Sequence, residues 1–263
     1  MSESTSISRE DKLRHLVKSK GRKAVTALTA YDYAVARIID EAGIDVILVG
    51  DSLGMMVFGH EDTTKVTVSM MKHHVAACRN GVARSILVAD MPYRSYEDDQ
   101  TAIATATELV SAGADAVKLE GGMAMISQIN ALLNKGIAVF GHIGMLPQKV
   151  VQEGGYKKKG KSDIEAANLL ADAAELDKAG VSAIILENIV GNLAKEITEM
   201  TTAPTIGIGS GKSCDGQILV INDLLGSYPW FCPSFAKPKA NFASDTTQAV
   251  RAFIDEVENL NRE

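Results

Sequence analysis

The amino-acid sequence predicts a (β/α)8 TIM barrel folded as a single α/β domain. Three observations lead there: eight short apolar runs rich in β-branched residues, Ala-rich stretches at helical spacing after most of them, and a length of 263 residues, close to the ~250 of one such barrel. Continuous apolar strands alternating with helices imply a parallel sheet whose outer face is covered.

In chain order, residues 1–23 form a helical extension opened by a capping box, Ser8 to Asp11. Barrel strands and helices occupy 24–226, and a loop and final helix near 245–260 fill 227–263. The eight strand-like runs are AVTALTA (24–30), DVILVG (45–50), SILVAD (85–90), AVKLEG (116–121), IAVFGHIG (137–144), SAIILEN (182–188), TIGIGSG (205–211) and QILVIND (217–223). Six helix-like stretches follow them: YAVARIIDEAG, VSMMKHHVAACRNG, QTAIATATELVSAGA, AMISQINALLNKG, DIEAANLLADAAELDKAG and LAKEITEM. Gly43, Gly81, Gly113, Gly136 and Gly180 stand where left-handed helix caps are expected. No helix fits between the last two strands. A barrel with a degenerate seventh helix accommodates that gap, and so does an open doubly wound sheet.

Composition narrows the function. An apolar share of 46% with 23% charged residues excludes a disordered or fibrous chain. A net charge of −6 argues against nucleic acid and membrane surfaces as partners and leaves small-molecule substrates. Cys78, Cys214 and Cys232 are odd in number and widely spaced, so a reducing cytoplasm is expected rather than a disulfide framework or zinc knuckle. The N-terminal stretch lacks an apolar signal region and carries Glu3, Glu10 and Asp11, and no apolar run reaches ~18 residues, so neither targeting peptide nor membrane span is expected.

In parallel α/β folds, ligands bind beyond the carboxyl ends of the strands. Acids recur there: Asp51 after VILVG, Asp90 closing SILVAD, Glu120 in VKLEGG and Glu187 in AIILEN. Four carboxylates at one barrel mouth repel one another unless a cation offsets them, which implies a hard divalent ion such as Mg2+. Period-2 alternation in AVKLE turns Lys118 and Glu120 inward together, so Lys118 needs a charged partner. A buried structural ion pair explains any one of these acids about as well as function does; it explains the set poorly. His142 shares an inward face with Phe140 and is a further candidate. His15, His73, His74, Met70, Met71 and Cys214 take ordinary structural readings, and KKKGK (157–161) reads as a solvated flap. GIGSGKS (207–213) is one residue short of a P-loop, so its glycines make either a tight turn or a backbone approach to a ligand.

The stretches TAYDYAVARIIDEAGID (29–45), LVGDSLGMMVFGH (48–60), LVADMPY (87–93), AGADAVKLEGG (112–122), GHIGMLPQ (141–148), GGYKKKG (154–160), LEN (186–188) and GIGSGKSCDGQILVINDLLG (207–226) together resemble the ketopantoate hydroxymethyltransferase family. They run in order over roughly residues 24–240. The resemblance implies a barrel of the phosphoenolpyruvate/pyruvate-binding type, one Mg2+ per subunit, 5,10-methylenetetrahydrofolate as co-substrate and a homodecamer in the cytoplasm. It places metal binding on Asp51, Asp90 and Glu120, ketoacid contacts on Asp51, Ser52, Asp90 and Lys118, and the general base on Glu187, with His142 added to the substrate contacts from its inward position. The implied reaction is hydroxymethyl transfer to 3-methyl-2-oxobutanoate, giving 2-dehydropantoate for pantothenate biosynthesis. Glu187 removes the C3 proton and the metal stabilises the enolate. Two positions depart from the usual pattern: Leu146 where Thr is common, and Ser234 where Lys is common.

Two other readings compete. A metal-dependent C–C lyase or mutase of the isocitrate lyase type shares the barrel, but the Lys-Lys-Cys-Gly-His loop typical of those lyases does not occur here. A catalytically silent ketoacid-binding barrel is disfavoured by the intact Asp51, Asp90, Lys118, Glu120 and Glu187.

Overall fold

The computed structural model describes residues 8–260. The chain divides into two compact units, Met1–Ile218 and Leu219–Glu263. Eight parallel strands form a closed barrel in the order of the sequence: β1 (Val25–Thr29), β2 (Val46–Val49), β3 (Ile86–Asp90), β4 (Ala116–Glu120), β5 (Val139–Gly144), β6 (Ala183–Glu187), β7 (Thr205–Ile208) and β8 (Gly216–Leu219). Each lies within one of the eight apolar runs or one residue outside it. The gap before β8 holds no helix, so the closed barrel with a missing seventh helix is the correct alternative and the open sheet is not.

The helices of the first unit are α1 (Arg9–Ser19), α2 (Tyr33–Glu41), α3 (Leu53–Met56), α4 (Val68–Gly81), α5 (Asp99–Ser111), α6 (Ile126–Asn134), α7 (Asp163–Ala179) and α8 (Gly191–Met200). Side chains hold their starts: Ser8, Asp32, Thr67, Asp98 and Ser162 each accept a hydrogen bond from a backbone N–H in the first turn of α1, α2, α4, α5 and α7. Gly43, Gly113, Gly136 and Gly180 have positive φ after α2, α5, α6 and α7, as expected. Gly81 does not. It is the last helical residue of α4, and a Cβ there would lie 2.7 Å from the Tyr33 carbonyl oxygen and 2.9 Å from the Arg37 nitrogen. Gly81 is required by the close approach of α2, a tertiary cause that a cap rule does not contain.

Inside the barrel, Val25, Ala27, Val46, Leu48, Ile86, Val88, Ala116, Phe140, Ala183, Ile185, Ile206 and Ile218 form one apolar cluster, joined by Leu16 of α1. These positions alternate with outward residues such as Ile47, Leu87, Val117 and Ile184, which are also buried. The polar residues of the interior therefore sit above this plug, at the carboxyl ends of the strands.

The second unit carries α9 (Ile221–Leu225), which ends at Gly226 with φ +62°, and α10 (Phe242–Leu260). No residue of α10 is buried, and Phe253 and Ile254 are exposed. Among the described residues, no helix is long and apolar enough to cross a membrane.

Candidate active site

Register brings the strand-end residues together. Asp90 pairs with Lys118 across β3 and β4, Glu120 with His142 across β4 and β5, and Gly144 with Glu187 across β5 and β6. All four acids, Lys118 and His142 lie at one end of the barrel. Lys118 and Glu120 point inward as alternation requires, and the charged partner of Lys118 is Asp90, with Nζ 2.6 Å from Oδ1.

The carboxylates are tied to the backbone and to one another's loops. Asp90 Oδ2 accepts a hydrogen bond from the Asp51 N–H at 2.9 Å. Glu120 Oε2 accepts one from the Gln148 N–H at 3.1 Å, and the Gln148 amide donates to Asp51 Oδ2 at 2.8 Å. Ser52 joins a hydroxyl chain: its Oγ lies 2.9 Å from the Tyr31 hydroxyl, which accepts from Thr29 Oγ1 at 3.0 Å.

Lys118 determines the tautomer of His142. Its Nζ lies 3.2 Å from Nδ1, and an ammonium has only donors, so Nδ1 accepts and the ring proton sits on Nε2. Nε2 is 3.1 Å from Glu187 Oε2, although their alignment falls short of a hydrogen bond. Burial, with Lys118 alongside, pushes the His142 pKa well down, so the ring is neutral.

Burial also dominates the acids. It raises the Asp51 carboxyl to about 7, with Asp90 adding repulsion and Lys118 opposing. Glu120 is pushed well up by burial despite Lys118, and Glu187 to about 8. Burial works against the Lys118 charge, but Asp90, Glu120 and Asp51 more than compensate and leave its pKa raised. With one ammonium among three buried acids and the half-buried Glu187, the free site favours bound protons, which a cation would displace.

Glu187 is the most open of the four, with its side chain 15% exposed. Two backbone features hold it. Asn188 takes a left-handed conformation, φ +50°, which Asn tolerates better than most residues. Gly144, at φ +101°, leaves space that a Cβ would fill at 2.2 Å from the Glu187 carbonyl oxygen. The glycine-rich loop after β7 contributes Ser210, whose Oγ donates to Leu186 O at 2.7 Å and accepts from the Ile189 N–H at 3.0 Å, clamping the chain on both sides of Glu187.

Two residues at the centre of the site carry no sequence signal of their own: Gln148 and Tyr96, both buried. The Tyr96 hydroxyl donates to Gln148 Oε1 at 2.5 Å. Gln148 belongs to the GHIGMLPQ motif, but nothing in the motif says that its side chain turns back between Asp51 and Glu120.

The donor set suits a hard divalent cation. Glu120 Oε1 is buried and has no hydrogen-bond partner among the described residues, so an acceptor is left facing the interior. No three His, Cys, Asp or Glu side chains among the described residues converge closely enough to enclose a metal by themselves. A Mg2+ bound there would keep part of its octahedral shell for water and substrate oxygens.

The family model for ketopantoate hydroxymethyltransferase matches residues 11–261. Relatives called 3-methyl-2-oxobutanoate hydroxymethyltransferase include those of Acetivibrio thermocellus, 49% identical with 92% of this chain and 86% of the relative covered, and of Staphylothermus marinus, 45% identical with 94% and 91% covered. Among solved structures, phosphonopyruvate hydrolase superposes with a TM-score of 0.65 at 14% identity, covering 96% of this chain and 88% of that one. A 2,3-dimethylmalate lyase of the PEP mutase/isocitrate lyase superfamily superposes with a TM-score of 0.59 at 18% identity, covering 98% and 89%. At such identities these two likenesses describe the barrel alone. The match over nearly the whole chain, with relatives at almost half identity, makes this chain a member of the ketopantoate hydroxymethyltransferase family.

Proposed function

We propose that the protein transfers a hydroxymethyl group from 5,10-methylenetetrahydrofolate to 3-methyl-2-oxobutanoate, giving 2-dehydropantoate, the first step of pantothenate biosynthesis. The observation that carries this is the meeting of Asp51, Asp90, Glu120 and Glu187 around Lys118 at one barrel end in a chain of this family.

Asp51, Asp90 and Glu120 would hold one Mg2+ per subunit, whose chemistry when bound is to offset the negative charge that develops on a 2-oxo acid as it loses a proton. Lys118, buried and cationic, pairs with the carboxylate end of the ketoacid while remaining against Asp90. Ser52 offers a hydroxyl contact at the same end, held by Tyr31. Glu187 accepts the C3 proton at a carboxylate oxygen. Burial raises its affinity for that proton, which matches a base to weakly acidic carbon. Neutral His142, with Nε2 beside Glu187, polarises that carboxylate without consuming its charge. Water first cleaves the methylene bridge of the folate, its protons going to the two nitrogens so that tetrahydrofolate leaves and formaldehyde stays in the site; the C3 electron pair then bonds to that carbon as its C=O π bond breaks, and the oxygen takes the proton held by Glu187.

The exposed apolar residues of α10, Phe253 and Ile254 among them, support assembly into a homo-oligomer, with a homodecamer in the cytoplasm as the full reading. The low-identity likeness to lyases and mutases adds no support for C–C cleavage.

The test is ketopantoate formation from the ketoacid and methylenetetrahydrofolate, with and without EDTA. Product that appears with Mg2+ and vanishes on chelation is the expected result. Absence of both product and C3 proton exchange in the presence of Mg2+ would overturn the proposal.

A further inference from the structure

Gln148 is 3% exposed and uses its hydrogen-bonding capacity on the carboxylate cluster. Its two amide protons go to Asp51 Oδ2 at 2.8 Å and to the Met91 carbonyl at 2.9 Å. Its amide oxygen accepts from the Tyr96 hydroxyl at 2.5 Å, and its backbone N–H goes to Glu120 Oε2 at 3.1 Å. One residue therefore engages one oxygen of each of two acids that come from different strands. Pro147 precedes it at the start of a 3-10 turn over Pro147–Lys149, where a locked φ pre-sets the backbone that presents the Gln148 N–H.

We infer that Gln148 is the positioning residue of the cation site: it holds Asp51 and Glu120 in fixed orientations while adding no charge. The inference rests on the proposal above that a divalent cation binds among these acids. Neutrality is the physical reason for glutamine here. A second lysine would compete with the cation for the carboxylates, whereas an amide orients Asp51 Oδ2 and leaves the site's negative charge intact. Glu120 Oε1 makes no hydrogen bond among the described residues and lies 3.7 Å from His142 Nδ1, so the contact that orients Glu120 through Oε2 keeps its other oxygen for a ligand. Tyr96 and the Met91 carbonyl hold the amide from its other sides, which prevents it from flipping and presenting its oxygen to Asp51.

Partners that orient metal ligands from outside typically govern about 10–100-fold of metal affinity. The test is Mn2+ binding to the EDTA-stripped full chain, read by electron paramagnetic resonance, for the wild type, Gln148→Met and Gln148→Asn. Met keeps the volume and the backbone N–H but removes the Asp51 contact; Asn keeps the amide but shortens its reach. Both variants should weaken Mn2+ binding by about 10–100-fold. Turnover lost at limiting Mg2+ should return as Mg2+ is raised, whereas a merely structural defect lowers turnover at every Mg2+ concentration. Mn2+ affinity within twofold of wild type in whichever variant folds overturns the role of Gln148. Failure of the wild type itself to bind Mn2+ overturns instead the cation reading on which it rests.

Discussion

Replacing Lys118 by Met removes the ammonium from among three buried acids and the half-buried Glu187 and leaves the volume nearly unchanged. At the observed 2.6 Å, an effective dielectric constant of 20 gives about 6 kcal/mol of attraction between Lys118 and Asp90. The net loss is smaller, because Asp90 Oδ2 keeps the Asp51 N–H. Breaking one side of a buried pair costs about 3–5 kcal/mol. At about 2 °C per kcal/mol for a chain of this size, that is a fall of about 6–10 °C in Tm. The assay is thermal unfolding in EDTA at pH 7.5 for Lys118→Met, Asp90→Asn and the double variant. Asp90→Asn in the Lys118→Met background should recover most of the loss, since it removes the charge left behind. A Lys118→Met protein within 2 °C of wild type, or a double variant with the two losses simply added, would refute the charge-compensation argument.

Glu187→Gln should lower C3 proton exchange by about 10²–10⁴-fold while calorimetry still detects ketoacid binding; lost binding would show that Glu187 holds substrate or metal instead. Wild-type exchange should increase with pH as Glu187 loses its proton, burial having moved that step to about 8 in the free protein, and the Gln variant's residual rate should lack this rise. Asp223 is buried in the second unit, and burial alone raises its carboxyl from 3.8 to about 6. For an acid raised in the folded state, the cost to stability is complete above the folded value and fades as pH falls from about 6 toward 3.8. Asp223→Asn should therefore raise Tm at pH 8 and have little effect near pH 4; an equal gain at both would point to packing rather than charge.

Local chemistry was enough to read the strands and the acids at their ends. VILVG-Asp51, ILVA-Asp90 and AVKLE each join a continuous apolar run to a polar end, and period-2 alternation sends Lys118 and Glu120 inward whatever the neighbouring strands do. The caps at Ser8, Asp32, Thr67, Asp98 and Ser162 follow from side chains within three residues of the amides they bind. Position along the strands singled out Asp51, Asp90, Lys118, Glu120, His142 and Glu187, each at or just past a strand end or on its inward face, whereas Ser52 came from the resemblance to the family.

Tertiary structure decided what depends on residues far apart in the chain. Closure of the sheet was one such feature, because a missing helix before β8 fits an open sheet equally well until β1 and β8 are neighbours. Gly81 was another, required by α2 rather than by the end of its own helix. The pairing of Lys118 with Asp90 and the tautomer of His142 come from strand register, which joins residues 24 or more apart. Gln148 shows the division most clearly. It follows Asp51 by 97 residues, and its place between two carboxylates is set by the fold of a loop, where no periodic pattern marks the direction of a side chain.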